Sequence, residues 1–273
     1  MLLSAVLHAS WNFLTKRVSG NLSVLYIGMS AMCILLLPFV CLLWESDPLI
    51  PAAYPFILAT GVVHALYFVV LSQAYRYGNI STVYPVARGF GVIGTAMIAV
   101  IVLRESVTIL GLCGIASTGL GILIIGTSVA KRDESIRGLW FAIAVGFTMI
   151  GYSIIDKAAM AVINPIIYIF FIFLLSMILL TPYMVISRRQ ELALAWKKHK
   201  RYGIVIGLGA TAGYLLILFV FRTAQVSYVV AVREFSVVLG SLLGVIYLRE
   251  SLSAKKLIGI LMVVAGLIMV RIA

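Results

Sequence analysis

Charged side chains are what this chain has least of. Only 11% of its 273 residues are Asp, Glu, Lys or Arg, against roughly 25% in an ordinary soluble domain. Acids are scarcer than bases, 9 against 21. So few charges do not cover a water-soluble fold, which excludes a soluble enzyme, and the high apolar content excludes a disordered chain. Cysteine is also rare. Cys33, Cys41 and Cys113 lie inside apolar runs with no CxxC and no metal-ligand spacing. They read as small buried hydrophobes, which excludes a disulfide-stapled secreted scaffold. No GxSxG, HExxH or P-loop occurs. No enzyme activity, cofactor or metal is therefore expected.

What the chain does have is apolar surface, 63% of its residues. That is the composition of an integral membrane protein. Its net charge is +12, which in a soluble domain would point to nucleic acid. Here the basic residues stand between apolar runs and read as topology signals, so nucleic acid is not an expected partner. The lipid bilayer is.

A membrane span needs about 20 apolar residues. Ten candidates run over 2–17, 22–44, 52–75, 81–103, 108–128, 138–160, 165–186, 203–222, 227–248 and 254–271. The first is short and has neither a charged start nor a small-residue cleavage site, so a cleaved signal peptide is not expected. The segments are continuously apolar, as spanning helices are; strands of a membrane barrel alternate. The GxxxG pairs Gly203–Gly207, Gly209–Gly213 and Gly240–Gly244 predict close helix packing. Gly89–Gly94 fits GxGxxG but lies within an apolar run rather than after a strand, so packing explains it better than a dinucleotide. The sequons at Asn21 and Asn79 sit too near the membrane to be good glycosylation acceptors.

The chain repeats itself. Leu103-Arg104-Glu105-Ser106 recurs as Leu248-Arg249-Glu250-Ser251. At the same offset Arg88 matches Arg233, Gly114 matches Gly259 and Gly121 matches Gly266. At the front of each half, Trp11-Asn12-Phe13-Leu14-Thr15-Lys16 lines up with Tyr152-Ser153-Ile154-Ile155-Asp156-Lys157. The expected fold is all-α, with ten transmembrane helices as two inverted five-helix repeats over residues 1–130 and 131–273. An odd number of spans per half turns the second half over, and such repeats place a substrate site between them. Apart from Arg88 and Arg233 within spans, all Lys and Arg but Arg104, Lys157, Arg222 and Arg271 stand at the odd-numbered loops. The positive-inside rule then places both termini outside. Ser187–Arg201, rich in Lys and Arg, reads as a short helix on the lipid surface.

The run from Ala74 to Gly89, AYRYGNISTVYPVARG, and the two Leu-Arg-Glu-Ser helix ends resemble the EamA-type branch of the drug/metabolite transporter superfamily. His8–Asn12 (HASWN) and Tyr84–Gly89 (YPVARG) are similar to a subgroup associated with phosphonate utilisation. The resemblance implies ten helices, alternating access and transport of small metabolites. It also implies cytoplasmic termini, against the loop charges.

Charged residues within spans cost several kcal/mol unless paired or wet. Arg88 stands about 10 Å into its span by helical rise, and Arg233 at similar depth. Two guanidinium forks suit a carboxylate, phosphonate or phosphate; the bland readings are snorkelling and, for Arg233, an ion pair with Glu234. Tyr84 shares a face with Arg88, and Pro85 can bend the helix there. His8, Trp11, Asn12 and Thr15 share one face of the first span. Trp11 and Asn12 are candidate pocket residues, or else glue between helices. His8, His64, Asp156 and Glu234 are candidates for coupling or counter-charge. The bland alternative for Asp156 is an interfacial pair with Lys157. Glu105 and Glu250 read as structural helix ends. The expected function is a secondary transporter for a small anionic or zwitterionic metabolite (an amino acid, organic acid or phosphonate-like solute). Its rivals are a flippase for a lipid-linked phosphate and an exporter of hydrophobic cations. A bacterial cytoplasmic membrane is the expected location, and monomer and homodimer stay open.

Overall fold

The structure is a computed structural model, and it describes residues 1–18, 21–47, 49–78, 80–129, 136–248 and 252–273. The boundary between the halves, the Asn79 sequon and Arg249-Glu250-Ser251 of the second repeat motif lie outside the described residues.

A helix covers each of the ten expected segments: α1 Leu2–Arg17, α2 Leu22–Trp44, α3 Tyr54–Tyr77, α4 Ile80–Val102, α5 Ile109–Val129, α6 Ile136–Ala159, α7 Pro165–Ile186, α8 Arg189–Phe221, then α9 Val226–Arg233 with α10 Phe235–Leu248, and α11 Ala254–Ile272. Among the described residues, seven of these helices (α2 to α8) are long and apolar enough to cross a membrane. Outward-facing Leu42, Ile101, Ile109 and Ile186 are strongly exposed, as side chains in contact with lipid tails are. The chain is an all-helical, multi-pass integral membrane protein.

Two segments differ from the sequence expectation. The ninth span is not one helix: it breaks at Glu234, between α9 and α10. Its run of β-branched residues holds no Gly or Pro to announce a break. And Ser187–Arg201 is not a separate surface helix. With no Gly or Pro between Arg189 and Tyr202, the basic segment continues into the eighth span as one helix of 33 residues. That is about 50 Å long, against roughly 30 Å of hydrocarbon, so its basic first turns project beyond the membrane. Arg188 Nη1 grips both Glu191 oxygens at 2.7 and 2.6 Å where that helix starts, and an acid in the first turn suits the helix dipole.

The packing carries the repeat. The α5–α11 pair is the most extensive in the bundle. A Cβ on Gly114 would stand 2.7 Å from Gly266 O, and one on Gly121 would stand 2.7 Å from Gly259 O. Contacts that pair 114 with 266 and 121 with 259 run antiparallel. Under the sequence repeat each is the image of the other, so the two helices are related as an inverted repeat requires. The other pairings correspond too: α3 on α6 matches α8 on α1, and α2 on α8 matches α7 on α3. Gly203 and Gly207 do pack tightly, against Val24 O and Gly28 O of α2, both at 2.8 Å. Gly240 does not, since nothing lies within 4 Å of its added Cβ; the side-chain side of Gly244 lies outside the described residues. In the GxGxxG run, Gly89 faces Gly119 O at 2.8 Å and Gly94 faces Ile150, as helix packing requires.

Glu105 closes the far side of the fold. One of its oxygens accepts from Val226 N at 2.6 Å, and the other accepts from Ser227 N at 3.1 Å and Ser227 Oγ at 2.6 Å. It thereby satisfies free N–H groups at the start of α9. This is the structural role expected of it, exercised on a helix 121 residues away.

Candidate functional site

The helices α1, α2, α3, α4, α6, α7 and α8 enclose a central cavity of about 80 Å³ for the centres of water-sized spheres. A single water needs roughly 10–15 Å³ on this measure, so the space admits several waters or a small solute group. Its wall is mostly apolar and aromatic. Met29, Met32, Phe68, Ile172 and Phe173 supply one kind of surface, and Trp11, Tyr67, Tyr152 and Tyr214 supply the other. Arg88, His8 and His64 are the basic residues on it. Trp11 and Tyr152, equivalent in the repeat, both line the cavity.

Arg88 is held from behind. Its Nη1 donates to Glu234 Oε1 at 2.8 Å, and Arg233 Nε reaches the same oxygen at 3.3 Å. The Tyr84 ring lies 5.0 Å from the guanidinium carbon of Arg88, within cation–π range. Arg88 is 3% exposed, Arg233 1% and Glu234 0%. Two guanidiniums thus share one carboxylate, which leaves one positive charge in excess. Among the described residues, Arg233 Nη2 and Glu234 Oε2 have no hydrogen-bond partner. The break between α9 and α10 falls on the very residue that ties the two arginines together.

Asp156 forms a second polar centre. It is 0% exposed. Thr60 Oγ1 and Tyr168 OH each donate to its Oδ1 at 2.7 Å, and Tyr214 OH donates to Oδ2. Lys157 is not its partner. It donates to Phe221 O at 2.6 Å and Ala224 O at 2.8 Å, capping the end of α8. His64 Nδ1 lies 3.0 Å from both Thr60 Oγ1 and Thr60 O, and its ring stacks on Tyr152 at 4.6 Å.

The face of α1 divides. His8 and Trp11 reach the cavity, packed edge to face at 5.4 Å; among the described residues His8 Nδ1 and Trp11 Nε1 have no hydrogen-bond partner. Asn12 is not among the residues around the cavity. It donates to His8 O in its own helix at 2.6 Å, as Thr15 does to Trp11 O at 2.9 Å. Sequence reasoning did not pick out Tyr67, Tyr152 or Tyr214 as pocket residues. Only the alignment of Tyr152 with Trp11 carried a signal for any of them.

A second cavity of about 260 Å³ lies between the end of α1, the end of α3 and the start of α8, and Arg76, Arg188 and Glu191 line it. It stacks above the first along shared helices: Leu22 of the outer cavity is one turn from Leu25 of the inner, and Ser72 is one turn from Phe68. The central cavity therefore lies beneath the face that bears the odd-numbered, basic loops.

The EamA-like transporter family model matches residues 1–127 and again residues 136–272. The chain belongs to that family. Two matches in one chain are the repeat that the sequence carries. An "Uncharacterized transporter YwfM" of Bacillus subtilis (strain 168) is 29% identical over 163 residues. That match covers 58% of this chain and 53% of the relative, so the chain spans about half the length of the curated protein it matches. A solved structure described as "Crystal structure of protein" superposes with a TM-score of 0.77 at 14% identity, covering 99% of this chain and 94% of the other. At that identity it speaks for the fold alone. The descriptions of the family and the relative support a membrane transporter of the drug/metabolite superfamily rather than an enzyme. Neither singles out the phosphonate-associated subgroup.

Proposed function

We propose that this EamA-like protein is a secondary transporter that moves a small anionic or zwitterionic metabolite by alternating access. The observation that carries the reading is Arg88 on the cavity wall, one of two repeat-related arginines that share a single buried carboxylate. An excess buried cation is expensive unless an anion completes it. A carboxylate or phosphonate entering the cavity would pair with Arg88 as a charge-assisted fork. Arg233, Glu234 and Tyr84 would hold that guanidinium in place. Trp11 and Tyr152 would flank the rest of the solute, and His8 lies beside Trp11. Asn12 would act only by shaping α1. The two stacked cavities favour access from the basic-loop face. The proposed setting is the cytoplasmic membrane of a bacterium.

The aromatic walls favour a second reading, export of hydrophobic cations held by cation–π contact. One experiment separates the two. Purified protein in detergent is melted against aminophosphonates, amino acids, organic acids and hydrophobic cations. A ligand of the folded state at 100 times its Kd adds about 2.7 kcal/mol. Stabilisation by anions that vanishes in Arg88→Ala supports the proposal. Stabilisation by cations alone, unaffected by Arg88→Ala, refutes it.

A further inference from the structure

We propose that Asp156 is the proton-binding site of this transporter, loaded from the central cavity through the Tyr214 hydroxyl; this rests on the transport reading above. Three observations converge. Asp156 is fully buried and, among the described residues, has no ion-pair partner. The neighbouring cation is spent elsewhere, because Lys157 caps the end of α8. An acid in that position within a membrane bundle is costly as a permanent charge.

The second observation is what surrounds it. All three partners, Thr60, Tyr168 and Tyr214, are hydroxyls. A hydroxyl both donates and accepts, so the same three groups satisfy the carboxylate and the neutral acid by rotating their O–H bonds. Arginine or lysine partners would lock the charged form. Tyr214 also lines the cavity and so touches both compartments. A proton from cavity water binds the Tyr214 oxygen as the proton of Tyr214 passes to Asp156 Oδ2. The tyrosine ends neutral, the carboxylate becomes a carboxylic acid, and the reverse step returns the proton.

The third is the repeat. Asp156 occupies the position of Thr15, whose hydroxyl, among the described residues, bonds its own helix at Trp11 O. The fold at this place is met by a neutral threonine, so the acid answers to something other than packing. The groups facing the cluster are Thr60 and His64 from α3, Tyr168 from α7, Tyr214 from α8, and Tyr152 from α6 itself, while Lys157 of α6 is turned to the end of α8. The helices α4 and α9 also pack on α6; their Arg88 and Arg233 are engaged by Glu234.

The test uses protons as the probe, so it needs no known solute. Reconstituted full-length protein is titrated while infrared difference spectra follow the carboxylic C=O stretch. We expect a band that comes and goes reversibly with pH in the wild type and is missing in Asp156→Asn. Tyr214→Phe should keep the band but shift its frequency, since one hydrogen-bond partner is gone. Isotope labelling of the aspartate carboxyls in an Asp47→Asn, Asp133→Asn background, where Asp156 is the remaining aspartate, must move the band, which keeps the test open if Asp156→Asn does not fold. A wild type with no reversible aspartate band, or a band that survives in Asp156→Asn, overturns the proposal. Failure of every solute in the melting panel would instead overturn the transport reading and leave this result standing.

Discussion

Glu234→Gln should be the most damaging conservative change in the bundle. The side chain keeps its volume, and only its charge is lost. In the native protein one carboxylate oxygen receives Arg88 Nη1 at 2.8 Å and Arg233 Nε at 3.3 Å, with all three residues 3% exposed or less. Removing one partner of a buried pair costs about 3–5 kcal/mol, because the other charge is left without compensation. Here two guanidiniums are left, and they repel each other. Arg233→Gln removes only the longer contact and keeps the 2.8 Å pair, while Arg88→Gln keeps the 3.3 Å one. The expected order of destabilisation is therefore Glu234→Gln, then Arg88→Gln, then Arg233→Gln. For a chain of this size about 1 kcal/mol moves the melting temperature by roughly 2–4 °C, so Glu234→Gln should fall by about 6–20 °C in detergent. Anions should recover part of that loss, since Arg88 opens on the cavity and an anion there replaces part of the missing counter-charge. A Glu234→Gln protein that melts like the wild type, or better than Arg233→Gln, would refute a shared counter-charge.

Further outcomes follow from packing and capping. Gly266→Ala puts a Cβ 2.5 Å from both Gly114 O and Thr118 Oγ1 and should cost about 1–3 kcal/mol as an overpacked contact. Gly240→Ala, with nothing within 4 Å, should be neutral or stabilising by up to about 1 kcal/mol through helix propensity; the pair of melts together tests whether α5–α11 is the tight seam. Lys157→Met removes both donors from Phe221 O and Ala224 O and should cost about 1.5–3 kcal/mol per charged hydrogen bond lost, read in the same assay. The loop charges put Ala273 outside the cytoplasm; a topology reporter fused there that reads cytoplasmic would show that the family orientation overrides them.

What the sequence made legible is what a helix carries along its own axis. Apolar run length located the spans among the described residues, though not the break between α9 and α10, and the offset between halves matched the glycines that form the α5–α11 seam. Arg88 and Arg233 stood out because nothing in a span dilutes a charge. The pairing of Arg88 with Glu234, 146 residues away, is a different matter, since it depends on how α4 and the α9–α10 break approach. Asp156 is the clearest case. Its neighbour in sequence, Lys157, suggested an ion pair near a helix end. But successive helical residues do not face each other, so one points into the bundle and the other to the end of α8. The hydroxyls that hold Asp156 come from α3, α7 and α8, at 96, 12 and 58 positions along the chain, so only packing brings them together.

The repeat explains where chemistry sits in this protein. Positions that the two halves share make the frame: glycine meets glycine at the α5–α11 seam, and Trp11 faces the same cavity as Tyr152. Symmetry alone would put Arg88 and Arg233 into the core as two like charges with no counter-charge, which no membrane interior tolerates. The second half breaks the symmetry at two acids. Glu234 stands where the first half has Gly89, a position at which a Cβ would come within 2.8 Å of Gly119 O; in the second half the helix breaks there. Asp156 stands where the first half has Thr15. Both differences convert a packing position into a charged one, and both lie one residue layer behind the cavity wall. They reach it through Arg88 and Tyr214 respectively. A duplicated scaffold can rock about a fixed centre only if its two halves are nearly interchangeable, and it can distinguish a solute from a proton only where they are not.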